Sequence, residues 1–319
     1  KEQELLGDRQ RILVTGGAGF IGSAVIRRLL KCTSASIFNL DKMGYASDLK
    51  SIHETISNLG GDSESRHQLL KVDLANKNDV EEALKKADPD LIMHLAAESH
   101  VDRSISGPEV FIKSNVNGTY NLLEAARNHY ESLQGERKTN FRLHHISTDE
   151  VFGSLGPQGS FSETTPYDPR SPYSSSKAAS DHLVRAWHHT YDMPVVLTNC
   201  SNNYGPWQYP EKLIPVVILK AAQSENIPLY GDGMNVRDWL FVGDHCAAIK
   251  LIYEKGSVGE IYNIGGDSEK TNLEVVKAIC NLLDRTRPNG ENKPYFDQVS
   301  FIDDRAGHDR RYAIDHSKI

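Results

Sequence analysis

Cysteine is scarce in this chain. Cys32, Cys200, Cys246 and Cys280 are far apart and form no C-x-x-C pattern, so neither a disulfide framework nor a zinc site of familiar spacing is expected. No His-Glu-x-x-His occurs although there are 13 histidines, and no metal is expected. Positive charge is in deficit: 36 Lys and Arg against 43 Asp and Glu give a net charge of −7. That argues against a nucleic-acid surface, which needs a basic excess on one face. No window approaches the ~18 uninterrupted apolar residues of a membrane helix, and Lys1 to Asp8 has no apolar core of an export signal. A cytoplasmic protein with no membrane or nucleic-acid partner is therefore expected. The 39% hydrophobic and 25% charged content is ordinary for a globular protein, and the length suggests about two domains, or one large α/β domain with a lobe.

What is present begins with an alternation of short β-rich runs and helical patterns. Strands are expected at Arg11 to Thr15, Ser36 to Leu40, Leu69 to Val72, Leu91 to Leu95, Phe141 to Ser147 and Val195 to Asn199, each dominated by Val, Ile, Leu or Phe. Between them, apolar spacings of three and four predict helices over Gly19 to Lys31, Ser47 to Leu59, Lys77 to Lys86, Pro108 to Tyr130 and Tyr173 to Tyr191. This order predicts an α/β fold with a doubly wound parallel sheet. The last third is broken by Pro206, Pro210, Pro215 and Pro228, and carries a helix from Asn272 to Asp284 opened by the capping box Thr271-x-x-Glu274. The expected division is a domain over 10–199, rejoined by about 238–266, and a smaller α/β lobe over 200–237 and 267–319.

Thr15-Gly16-Gly17-Ala18-Gly19-Phe20-Ile21-Gly22 follows a strand and opens a helix, the context a dinucleotide-binding loop requires. Glycines let the backbone approach a pyrophosphate, whose charge meets the N–H groups of the helix start. Asp41 ends the second strand, where a carboxylate accepts the adenosine ribose hydroxyls and repels a 2′-phosphate. NAD is favoured over NADP, and the adjacent Lys42 weakens the preference slightly. The sheet is thus expected to be a Rossmann sheet.

Ser147-Thr148-Asp149-Glu150-Val151-Phe152-Gly153 places two acids at the carboxyl end of an apolar strand, the end at which open α/β sheets bind ligands. An acid pair can equally solvate a loop. On a regular strand, 148 and 150 face one side and 149 the other, so the strand must end or twist for all three to converge. Tyr173 and Lys177 share a helix face at i and i+4, on the helix that follows this strand. A phenol is a poor base at neutral pH, but a nearby ammonium and a cationic nicotinamide ring would favour its phenolate. Tyr173 is the candidate base, with Thr148 on the same substrate hydroxyl.

With YxxxK and the strand-end threonine, TGGAGFIG resembles the extended short-chain dehydrogenase/reductase family. STDEVFG, LAAESHVDRS, SPYSSSKAASDHLV, NCSNNYGPWQYPEKLIP, RDWLFVGDH and RAGHDRRYAID resemble its dTDP-glucose 4,6-dehydratase branch across nearly the whole chain from about Arg11. The resemblance implies conversion of dTDP-glucose to dTDP-4-keto-6-deoxyglucose and water, with Glu150 taking the C5 proton and Asp149 protonating the departing C6 hydroxyl. It extends the NAD face from Gly16, Gly19, Gly22 and Asp41 to Phe20, Ile21, Lys42, Asp73, Leu74, Ala96, Ala97, Ser114, Tyr173, Lys177 and Asn203. On the substrate side it implies Ser99, Thr148 and Asn202 at the sugar, and Lys212 and Leu213 at the nucleotide. Pro228 and Tyr230 would lie at the base, and Arg237, Arg305, His308 and Asn272 near the diphosphate. A homodimer through a four-helix bundle of the 108–130 and 173–191 helices is also implied, as is a terminal helix past Ile319. Ser47 and Ala306 stand where relatives carry Gly and Pro. Alternatives are a dehydratase or 4-epimerase acting on a UDP- or GDP-hexose, and a non-catalytic NAD-binding protein.

Overall fold

A computed structural model describes residues 10–290 and 293–319; the amino-terminal stretch read for an export signal lies outside them. The strands, in chain order, are β1 (Arg11–Thr15), β2 (Ser36–Asp41), β3 (His67–Lys71), β4 (Leu91–His94), β5 (Arg142–Thr148), β6 (Val195–Cys200), β7 (Asn202–Tyr204), β8 (Ile227–Tyr230), β9 (Val236–Phe241), β10 (Ile261–Ile264), β11 (Glu269–Thr271) and β12 (Val299–Ile302). Seven form one sheet in the order β10-β6-β5-β4-β1-β2-β3, and its pairings are parallel. Six strands were expected from the first two thirds of the sequence. The seventh, β10, comes from the later segment and pairs with β6.

Helices cover both faces, which is why the strands read as continuous apolar runs. Phe20–Cys32, Lys50–Leu59 and Val242–Lys255 pack one face through Val25, Ile52 and Ile249. Lys77–Ala87, Gly118–Ser132 and Pro172–Tyr191 pack the other through Leu84, Leu122 and Val184. The connections reverse at β1, whose neighbours are β2 and β4, so a crevice opens there at the strands' carboxyl ends. A lobe with its own core, including Val217, Leu229, Val276 and Tyr295, stands over that crevice. It holds the parallel pair β8 and β12 and a small sheet of β11, β9 and β7.

Local signals explain several boundaries. Ser171 caps the Pro172–Tyr191 helix in a capping box with Ser174, with proline in its first turn, and Thr271 and Glu274 form the expected box. The helix predicted from Ser47 starts at Lys50, because 42–48 loops over the crevice. The helix predicted over 108–130 differs more. It is α-helical at Glu109–Phe111, widens to a π-helix over Ile112–Asn117 and resumes at Gly118–Ser132. There the Asn115 carbonyl accepts a bond from Ser180 Oγ at 2.5 Å, while the Asn115 side chain bonds both backbone groups of Glu98. Such insertions recur at functional sites.

Candidate active site

The crevice is a cleft of about 630 Å³ between the main sheet and the lobe. Every residue singled out above for catalysis, cofactor or substrate lines it, although those residues come from positions 16 to 308.

On the β1 side, the backbone is shaped by what glycine lacks. Gly16 has φ +69°, and a Cβ there would come 2.7 Å from the Ala96 Cα; one on Gly22 would come 2.1 Å from the Gly16 carbonyl oxygen. The helix that follows has Gly19 at its N-cap and no side-chain cap, leaving first-turn N–H groups to meet an anion. Asp41 Oδ2 accepts from the Ala18 N–H at 3.0 Å, and Oδ1 accepts from the Met43 N–H and the Ser47 hydroxyl at 2.8 Å each. These bonds fix a buried carboxylate beside the glycine turn. Cradle, uncapped helix start and carboxylate together fit a dinucleotide. Asn203, half-buried on the cleft wall, is fixed by the protein: its Oδ1 bonds His245 Nδ1 at 2.8 Å and its Nδ2 donates to the Ser201 carbonyl at 2.9 Å.

The acids converge because the strand stops. Thr148 has extended geometry (φ −135°, ψ 153°), and Asp149–Phe152 turns into a 3-10 helix. Thr148 Oγ1 accepts from the Glu150 N–H at 3.2 Å and lies 3.4 Å from Asp149 Oδ1. Val151 and Phe152 anchor the turn in a cluster with Phe161, Tyr312 and Ile314.

The two carboxyls have unequal surroundings. Asp149 is 1% exposed, and its Oδ2 has no hydrogen-bond partner among the described residues. Burial first, then the Glu150 charge, pushes its pKa well above the ordinary carboxylate range. Burial also raises Glu150, but Arg305, Arg237 and Lys212 oppose the rise. These fields place a proton shared by the pair on Asp149 rather than on Glu150. Arg237 is 4% exposed and donates to the Val236 and Asp309 carbonyls, so its charge faces the acids from a fixed position.

Tyr173 and Lys177 are both buried. Lys177 Nζ donates to the Ile146 carbonyl at 3.1 Å, and burial lowers its pKa while Asp181 raises it. For Tyr173 the protein alone works against the phenolate favoured in the sequence reading. Burial and the Glu150 charge raise its pKa well above 10, with only a hydrogen bond to Thr148 among the leading causes pulling down. Beneath them, Asp181 collects bonds from His145 Nε2 at 2.9 Å, Ser147 Oγ at 2.8 Å and Tyr167 OH at 3.0 Å.

The lobe brings the remaining residues to the opposite wall. Lys212 Nζ donates to the Ser99 carbonyl at 2.8 Å. Tyr230 OH donates to Asp102 Oδ2 at 3.1 Å, and Arg305 Nη1 lies 3.4 Å from Asp102 Oδ1. His308 pairs with Asp304 at 2.6 Å and packs edge-on to Tyr230. Pro228 and Leu213 line the same wall, and Asn272 starts a helix with its N–H bonded to the Asn235 carbonyl. Asn202 leaves a buried Oδ1 without a partner.

A family model described as GDP-mannose 4,6 dehydratase matches residues 13–319. The dTDP-glucose 4,6-dehydratase of Xanthomonas campestris pv. campestris (strain B100) is 54% identical over 307 residues, covering 96% of this chain and 86% of that protein. The enzyme so named from Haemophilus influenzae is 53% identical over 97% of this chain and 90% of its own length. The chain belongs to the dTDP-glucose 4,6-dehydratase family. A solved dTDP-glucose 4,6-dehydratase, DesIV of Streptomyces venezuelae with NAD bound, superposes with a TM-score of 0.85 at 40% identity, covering 97% of this chain and 89% of that one. In this dehydratase fold the cleft also contains residues the sequence did not single out: Glu98, Asp102, Ser201 and Trp239. Glu98 and Asp102 lie inside the LAAESHVDRS motif, Glu98 just past β4 and Asp102 in the short helix Val101–Ser106. Ser201, 2% exposed with an unpartnered hydroxyl, and the unpartnered Trp239 Nε1 carried no sequence signal.

Proposed function

We propose that this protein is an NAD-dependent lyase that converts dTDP-glucose to dTDP-4-keto-6-deoxyglucose plus water. The observation that carries the reading is the unequal acid pair: a buried Asp149 without a partner on Oδ2, next to a Glu150 faced by three cations. A hydride shuttle alone, as in an epimerase, has no use for two such acids, whereas elimination needs one group to take a proton and another to give one.

The dinucleotide would be held by the Gly16 to Gly22 turn, Asp41 and the Tyr173–Lys177 face. NAD bound there would supply the hydride acceptor for C4 oxidation and the hydride donor for C6. Tyr173 would act as the phenolate, which the Lys177 ammonium and a bound cationic nicotinamide would favour against the burial that raises its pKa; its Oη then takes the proton of the C4 hydroxyl, which Thr148 Oγ1 orients, and becomes neutral. The C4 ketone acidifies the C5 hydrogen, and the Glu150 carboxylate removes it, then gives a proton back to C5 when hydride adds to C6. Asp149 delivers its proton to the C6 oxygen, which leaves as water. Arg237, Arg305, His308 and Asn272 meet the diphosphate, Lys212 and Leu213 the nucleotide, and Tyr230 and Pro228 the base. Among the described residues no helix is long and apolar enough to cross a membrane, and Cys32, Cys200, Cys246 and Cys280 are free thiols; a cytoplasmic site of action suits both. A homodimer is supported by apolar side chains left outside on the two helices expected to pair: Val110, Ile112, Tyr120 and Tyr191 are each at least 42% exposed. A monomer at micromolar concentration would sink that part.

The test is incubation with dTDP-glucose, UDP-glucose and GDP-mannose in parallel, with products read by mass. Loss of one water from dTDP-glucose is expected to be fastest. Faster loss from another nucleotide sugar would move the substrate assignment, and loss from none would defeat the dehydratase reading.

A further inference from the structure

Lys42 and Glu98 form a charged pair in the cleft that the elimination chemistry leaves unused. Lys42 Nζ lies 2.5 Å from Glu98 Oε1 and 3.4 Å from Ser114 Oγ. The two residues come from opposite sides of the crevice, Lys42 just past β2 and Glu98 past β4, and both line the cleft. Lys42 directly follows Asp41, whose carboxylate is fixed by three hydrogen bonds.

Glu98 is clamped as well. Its N–H donates to Asn115 Oδ1 at 2.8 Å and its carbonyl accepts from Asn115 Nδ2 at 3.0 Å. Asn115 is 1% exposed and also donates to Ser176 Oγ at 2.8 Å. The π-helical turn therefore fixes the backbone from which the Glu98 carboxylate reaches Lys42. Arg103, whose charge also feels Glu98, has its guanidinium stacked 3.8 Å over the Tyr45 ring.

We propose that Glu98 is a specificity-determining residue: by holding the Lys42 ammonium across the cleft, it withholds the cation beside Asp41 from a 2′-phosphate, so the site takes NAD and rejects NADP. The proposal rests on the reading of this cleft as a dinucleotide site. Its physics is local charge. A lysine is a compact charge on a flexible stem, and one left free next to Asp41 would swing to a phosphate and offset the repulsion from that carboxylate. Tied to Glu98, it brings no net charge. Asp41 then acts unopposed.

The experiment titrates NAD and NADP separately, following tryptophan fluorescence, into wild-type protein, Glu98→Gln and the double variant Lys42→Ala/Glu98→Gln. In Glu98→Gln the ratio of the NADP Kd to the NAD Kd is expected to fall about tenfold, with the NAD Kd within about threefold of wild type. The double variant is expected to restore the wild-type ratio, because the freed lysine is gone. NAD binding with an unchanged ratio in Glu98→Gln overturns the role of Glu98, as does a gain that persists without Lys42. Wild-type protein that binds neither dinucleotide overturns the cleft reading and this proposal together.

Discussion

Asp149 and Asp181 are buried to the same degree, at 1% and 0% exposure, within one site, yet the protein treats them in opposite ways. Asp181 receives bonds from His145, Ser147 and Tyr167, which repay the desolvation of a charge. Among the described residues, Asp149 has one long contact, with Thr148 at 3.4 Å, and an Oδ2 with no partner. The difference teaches that burial alone does not make an acid catalytic. A carboxyl with its donors supplied is part of the scaffold; one denied them keeps its proton, and a carboxyl that keeps a proton at neutral pH can give it to a leaving group.

That comparison can be broken by substitution. The largest effect is expected from Glu150→Gln, which removes the proposed base: elimination should fall about a thousandfold while NAD binding and C4 oxidation persist. Normal turnover of this variant would end the base assignment. Asp181→Asn should act on the scaffold instead, lowering unfolding stability by about 3 kcal/mol in denaturant titration, because His145, Ser147 and Tyr167 lose the charge they were arranged around. If Asp181→Asn matched wild type in stability, the scaffold side of the comparison would fail.

Asp149 also predicts a pH dependence of stability. Its folded pKa is raised, so stability present below the unfolded value of about 4 is lost as pH climbs toward the folded value, by about 1.4 kcal/mol per pH unit. Asp149→Asn cannot titrate there, so its stability relative to wild type should improve as pH rises through that window; a pH-independent difference would contradict the shift. The smallest effect is expected from Tyr167→Phe, which deletes one of the donors to Asp181 and should lower stability by about 1 kcal/mol.

Much of the scaffold was readable from residues alone because its signals are local. The glycine turn, the apolar runs of β1, β5 and β6 and the Thr271–Glu274 box each act within a few positions. The parts that were not readable depend on distant partners. Nothing in Ile112 to Asn117 announces a π-turn; it coincides with the bonds that distant Ser180 and Glu98 make to Asn115. Asp181, inside a polar helical stretch, gave no sign of lying fully buried under Lys177. The convergence of Thr148, Asp149 and Glu150 was posed as a requirement by strand alternation and met by a 3-10 turn at the end of β5. Which acid keeps the proton could only follow from where Arg237, Arg305 and Lys212 approach, and those residues lie more than sixty positions downstream.

The most direct test of the central claim, that Asp149 is the acid of the elimination, is a quenched turnover of dTDP-glucose by Asp149→Asn, resolved by mass. The predicted result is accumulation of the C4-oxidised sugar that still carries its C6 oxygen, with almost no dehydrated product. Formation of the 4-keto-6-deoxy sugar at the wild-type rate would contradict it.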